Sequence, residues 1–123
     1  MAQYVDGFVI PVPKKNVKAY QKLAEEAAKI WIEYGALDYR ECLGDDLKVK
    51  EMTPFPKLAG AKPSETVIFA WIVYKNKAAR NRVNAKVCKD PRLDAMMKGK
   101  KLPFDMRRMA CGGFTTLVEA SAK

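Results

Sequence analysis

The chain has 123 residues, a formal net charge of +9 and no histidine, with 49% of its residues hydrophobic and 10% aromatic. That length supplies one core rather than two and that apolar content predicts a packed globule, so one domain over residues 1–123 is expected. The missing histidine excludes, from this chain alone, a Ser-His-Asp or Cys-His nucleophile system, an imidazole-ligated zinc or haem, and a histidine base.

Tyr4 to Ile10 reads as the first strand, rich in β-branched and aromatic residues and closed by Pro11 and Pro13. A helix is predicted from Lys14 to Tyr34. Val17, Tyr20, Leu23, Ala24, Ala27, Ile30, Trp31 and Tyr34 step by three and four along one face, and Gly35 suits its stop. Leu37 to Leu43 alternates as a second strand. The connection from Gly44 to Glu65 is long for a compact domain and holds Asp45, Asp46 and several prolines, with a short turn expected after Thr53. Thr66 to Tyr74 is the strongest strand. Asn76 is a plausible cap for a second helix to Cys88, with Ala79, Val83 and Val87 on its buried stripe. Asp90-Pro91 starts another helix through Leu93, Met96 and Met97. After a break at Gly99–Lys101, the last strand is expected over Cys111 to Glu119.

The order β-α-β, long loop, β-α-β favours an α+β, ferredoxin-like βαββαβ domain, with one antiparallel four-stranded sheet and two main helices on one face. In the third strand Val67, Phe69, Trp71 and Val73 share one face, and Ile68, Ala70, Ile72 and Tyr74 the other. Both faces ask for burial, at about 1.5–3 kcal/mol for each large apolar side chain. One chain has helices for only one of them. A homodimer packed sheet to sheet, a dimeric α+β barrel, is the expected solution.

Three carboxylates are candidates for proton handling: Asp6, Glu41 and Asp105. Asp6 interrupts an apolar strand, so it is either a ligand or acid-base group, or half of an ion pair with Arg40, Arg107 or Arg108. Pro103-Phe104-Asp105-Met106-Arg107-Arg108 sets two guanidiniums and a carboxylate beside an aromatic ring. That composition suits a planar anion, the alternative being an intersubunit pair. The candidate ligand-binding set is Asp6, Trp71, Phe104, Asp105, Arg107 and Arg108. Gly112-Gly113 permits a close backbone approach or a bulge. Asp45 and Asp46 read as a turn rather than half a metal site, and no metal or cofactor is expected.

Lys75 to Arg108 holds twelve basic and three acidic side chains, so the whole net charge lies in that stretch. Such a stripe suits a polyanion such as RNA. Stacking aromatics are absent before Phe104, which argues for a solvated helix face. Cys42, Cys88 and Cys111 are odd in number and far apart, so free thiols in a reducing cytoplasm are expected, Cys42 as a core residue. The N-terminal apolar run is broken by Asp6, Gly7 and Pro11, and no window is apolar enough for a membrane span.

Several segments occur together in a recognisable pattern: YVDGFVIPVPKKNVKAY, GALDYRECLGDD, TPFP, ETVIFAWIVYKNKAAR and PFDMRRMACGGF. In this combination the chain, from about Tyr4 to Glu119, resembles the DUF1428 (YbaA-like) proteins. The resemblance implies a dimeric α+β barrel, similar to that of small cofactor-free monooxygenases and ligand-sensing domains, and implies no reaction. Ala110 and Cys111 depart from the pattern, where a bulkier residue such as tyrosine is expected. The functional expectation is a dimer that binds or transforms a small metabolite without a cofactor. The alternatives are an RNA- or polyanion-binding module using residues 75–108, or a structural dimer without a site.

Overall fold

In the computed structural model, which describes residues 2–98 and 101–122, the first strand outlasts the prolines expected to end it. β1 runs from Tyr4 to Pro13. It lies centrally, paired antiparallel with β3 (Glu65–Tyr74) along its whole length and with β4 (Ala110–Thr115) only from Tyr4 to Val9. The Lys14 amide donates to Ser64 on the β3 side, and the Gln3 carbonyl accepts from Thr116 on the β4 side. By alternation, the positions of Pro11 and Pro13 address the β4 side, beyond the point where β4 has ended. Prolines there cost no ladder bond.

β2 (Asp38–Leu43) pairs with the other edge of β3, so the order across the sheet is β2-β3-β1-β4. With α1 (Val17–Glu33, after a 3-10 turn at Lys14–Asn16) and α3 (Lys77–Cys88), this is the ferredoxin-like βαββαβ arrangement. Gly35, at φ 115°, supplies the left-handed residue after α1. Asn76 caps α3 by accepting from the Ala79 amide at 2.8 Å. Asp90 caps α4 (Pro91–Met97) by accepting from the Arg92 amide, also at 2.8 Å. The expected break at Gly99 and Lys100 lies outside the described residues.

The last strand stops at Thr115, short of the expected Glu119, because its partner β1 begins opposite it at Tyr4. Beyond the strand, Leu117 and Val118 are 93% and 85% exposed. Gly112 and Gly113 sit in an unbroken register without a bulge. Gly113 serves close approach: a Cβ there would lie 2.7 Å from Cε2 of Tyr4.

The helix-facing side of the sheet carries two buried clusters. One joins Ile72 and Tyr74 to Ile30 of α1 and to Ala79, Val83 and Val87 of α3. The other joins Ile10, Val12, Ile68 and Ala70 to Tyr20 of α1. Phe8 touches both. The outer face is covered at one end only. There α2 (Phe55–Ala59), from the long connection, sets Phe55 against Phe69 with ring centroids 5.8 Å apart, and Pro11 and Val67 are buried. Phe69 is still 44% exposed beneath that cover, and Phe114 on β4 is 62% exposed.

Candidate functional site

Between α1 and the helix-facing side of the sheet lies a cavity of about 280 Å³. Phe8, Ile10, Ala70 and Ile72 form its floor, and Leu23, Ala24, Ala27 and Trp31 of α1 one wall. The opposite wall comes from α4 and the segment before β4, through Leu93, Phe104 and the four methionines at 96, 97, 106 and 109. Methionine's unbranched, polarisable side chain makes such a wall adaptable in shape. Asn16 Nδ2 ties this segment to α1's start by donating to the Pro103 carbonyl at 3.1 Å.

Glu41 is the one charged residue in the described lining. It shares the helix-facing side of β2 with Tyr39 and Leu43, while Arg40 and Cys42 take the outer side, as a period of two requires. The Tyr20 hydroxyl donates to Oε1 of Glu41 at 2.5 Å, and the Tyr39 hydroxyl to Oε2 at 2.7 Å. Burial, then the negative charge of Glu41, pushes both phenols far above their ordinary range, so they are fixed as donors. Each carboxylate oxygen keeps further acceptor capacity. Phe104 meets Tyr20 edge to face at 5.3 Å, and Trp31 stands 6.1 Å from Tyr39. Tyr20, Tyr39 and Glu41 also border a more open cleft of about 440 Å³ between α1 and β2, so they form the partition between it and the cavity.

Asp6 lies elsewhere. It is buried beneath α3, where Arg80 Nε donates to its two oxygens at 3.1 and 3.2 Å and Asn84 Nδ2 donates at 3.3 Å. The Asn84 carbonyl oxygen accepts from Trp31 Nε1 and the Tyr74 hydroxyl. Burial, then the charge of Asp6, raises the Tyr74 phenol. The partner is therefore Arg80 rather than the expected Arg40, Arg107 or Arg108. Arg40 stands on the opposite sheet face, 5.9 Å from the Trp71 ring, and Arg107 and Arg108 have carboxylates of their own.

Asp105 caps the 3-10 turn Met106–Arg108 and pairs at 3.2 Å with Arg107, whose side chain is 89% exposed. The Arg107 hydrogen bond holds the Asp105 carboxyl below its usual range. Arg108 forks onto Glu65 at 2.7 and 2.8 Å and donates to the Gly60 carbonyl, pinning the segment before β4 to β3 and to the end of α2. This pairing draws the Glu65 carboxyl down to about 2. The two guanidiniums expected to form an anion pocket are thus engaged by protein carboxylates. Trp71 borders the cavity from β3, yet its ring meets Phe69 and Arg40 on the outer face.

Of the six ligand-binding candidates, Phe104 and Trp71 border the cavity; Asp6, Asp105, Arg107 and Arg108 are outside its described lining. Among the catalytic candidates, Glu41 borders it. Tyr20 and Tyr39 went unassigned in the sequence because they read as apolar positions on a helix stripe and a strand. The available signal was the Tyr39-x-Glu41 spacing, which puts both on one strand face. Arg80 and Arg92, like Arg107 and Arg108, are paired with carboxylates, so four of the twelve basic side chains of the stretch are engaged by the protein itself. Cys42 is half-buried on the outer face rather than in the core, and all three cysteines are free. Among the described residues no cluster of acidic or cysteine side chains suits a metal ion, and no helix is long and apolar enough to cross a membrane.

The family model described as "Protein of unknown function (DUF1428)" matches residues 3–106. The chain belongs to the DUF1428 family. This DUF1428 chain is 38% identical over 117 residues to "Uncharacterized protein YbaA" of Escherichia coli (strain K12), covering 95% of this chain and 98% of that one. Among solved structures, a dimeric ferredoxin-like protein from an uncultured marine organism superposes with TM-score 0.62 at 11% identity, over 98% of the DUF1428 chain and 100% of the other. An uncharacterised NIPSNAP domain protein from Burkholderia xenovorans gives 0.53 at 11% identity, over 97% and 99%. At those identities the likeness shows the fold alone.

Proposed function

We propose that this DUF1428 chain is a cytoplasmic small-molecule protein. In this reading it holds a largely apolar ligand between α1 and the sheet, with Glu41 as the polar anchor, and it works as a homodimer without a cofactor. The observation that carries the reading is the apolar cavity of about 280 Å³ into which one carboxylate is clasped by two phenols. Pockets of this kind, mostly apolar with a few placed polar groups, are the usual form of small-molecule sites. Where a bound substrate surrenders a proton, Glu41 is the acceptor within reach, since Asp6 and Asp105 are paired elsewhere.

The dimer is supported by the open part of the outer sheet face, where Phe69 and Phe114 stand exposed, and by the dimeric ferredoxin-like protein of matching fold. Free Cys42, Cys88 and Cys111 suit a reducing compartment.

The test is a thermal-shift and native mass-spectrometry titration with phenylbutyl probes carrying neutral and charged ends. Ala24→Leu, which fills the cavity from α1, serves as the control. Binding to the natural chain, weakened at least about tenfold by Ala24→Leu, about 1.4 kcal/mol, supports the reading. No binding by any probe, or equal binding by the filled variant, overturns it.

A further inference from the structure

Resting on the cavity reading above, we infer that the ligand is a protonated amine with an apolar body, its ammonium seated against Glu41 and its body lying towards the methionine wall. Glu41 takes part in no ion pair among the described residues, and neither the cavity nor the adjoining cleft is lined there by Lys or Arg. The cleft adds a second carboxylate, Glu25. The two hydroxyls nearest Glu41 already give their protons to it, so they offer an entering anion no donor.

What remains on offer is negative or electron-rich: the spare acceptor capacity of Glu41, the rings of Tyr20, Tyr39, Trp31 and Phe104, and the thioethers opposite. Aromatic faces attract a cation, and more strongly when water is excluded. An N–H donor on the cation also uses the free lone pairs of Glu41, which a quaternary ammonium cannot do. Glu41 stands where the cleft and the cavity adjoin, so an ammonium can reach it from the cleft while the apolar body lies against the apolar lining. A carboxylate ligand in the same place would face Glu41 with like charge and no guanidinium to offset it.

Three probes share one body: 4-phenylbutylamine, 4-phenylbutan-1-ol and 4-phenylbutanoate. Their dissociation constants are read by tryptophan fluorescence on the full chain at pH 7, since Trp31 lines the cavity. The amine is expected to bind at least about tenfold tighter than the alcohol, equivalent to about 1.4 kcal/mol, and the carboxylate weakest. Glu41→Gln is expected to erase the amine's advantage while the alcohol still binds, which also reports that the variant is folded. Tyr39→Phe, which keeps the carboxylate, is expected to keep the order amine, alcohol, carboxylate. Equal binding of amine and alcohol, or tightest binding of the carboxylate, overturns the amine inference and leaves the cavity reading standing. Failure of all three to bind overturns both.

Discussion

Asp6 on β1 and Arg80 on α3 are 74 residues apart in the chain and meet through two hydrogen bonds from one guanidine nitrogen, at 3.1 and 3.2 Å. The pair clamps α3 to the central strand, and the other side of Arg80 rests on the Tyr4 ring at 5.3 Å. Asp6→Ala leaves Arg80 and the Asn84 amide without their acceptor. Breaking a buried pair in this way typically costs about 3–5 kcal/mol. A urea melt is expected to show a loss near about 3 kcal/mol, because Arg80 keeps some contact with water. A loss below about 1 kcal/mol, the worth of a surface pair, contradicts the clamp.

The fork between Arg108 and Glu65 predicts how stability responds to acid. Glu65 is held down from an ordinary 4.5 to about 2, chiefly by the Arg108 hydrogen bond. A carboxyl depressed in the fold binds protons more readily in the unfolded chain, so its contribution is complete above about 4.5 and fades as pH falls towards about 2. Asp90, lowered by Arg92 and Tyr34, acts in the same direction. Arg108→Met should therefore destabilise the chain at pH 7, with the gap from the natural protein closing between pH 4.5 and 2. Chemical denaturation at five pH values checks this; a gap independent of pH refutes it.

Phe114 and the part of Phe69 that Phe55 of α2 leaves exposed share the outer sheet face, and α2 shields only the end near Pro11 and Val67. A stable interface buries about 800 Å² on each partner, and a charge at its centre is poorly tolerated. Light scattering near micromolar concentration is expected to give twice the 13.8 kDa chain mass, and Phe69→Glu to give the single mass with native circular dichroism. A natural chain that runs as a monomer refutes the sheet-to-sheet dimer.

Gly113 and Gly7 face each other's strand but differ in the space around them. A Cβ on Gly113 runs into the Tyr4 ring at 2.7 Å, whereas one on Gly7 meets Phe114 Cε1 at 3.4 Å. Gly113→Ala forces Tyr4 from beneath Arg80 and is expected to cost about 1–3 kcal/mol, the range of an overpacked site. Gly7→Ala should stay within about 1 kcal/mol, since only an exposed ring has to move. Equal melting temperatures for the two variants contradict this difference.

Regular elements were legible because their signals are local. The three-and-four spacing from Val17 to Tyr34, the apolar run from Thr66 to Tyr74 and the caps at Asn76 and Asp90 each fix a conformation through neighbours in the chain. Where an element's extent depends on a distant partner, local signals do not set it. β1 continues through Pro11 and Pro13 because β4 leaves that side vacant, and β4 ends at Thr115 because β1 begins opposite it. Glu41 was legible as a candidate carboxylate, but nothing local marks Tyr20 as its donor, 21 residues away.

Composition and short-range periodicity were enough for a ferredoxin-like fold, a two-faced apolar sheet and the absence of a histidine side chain. Only the tertiary structure decided which charges cancel. It sent Asp6 to Arg80, Glu65 to Arg108 and Asp105 to Arg107, and left Glu41 with two phenols and, among the described residues, no cation. Pairing among these groups depends on which sheet face and which helix each side chain reaches, and that geometry exists only once the strands have found their register.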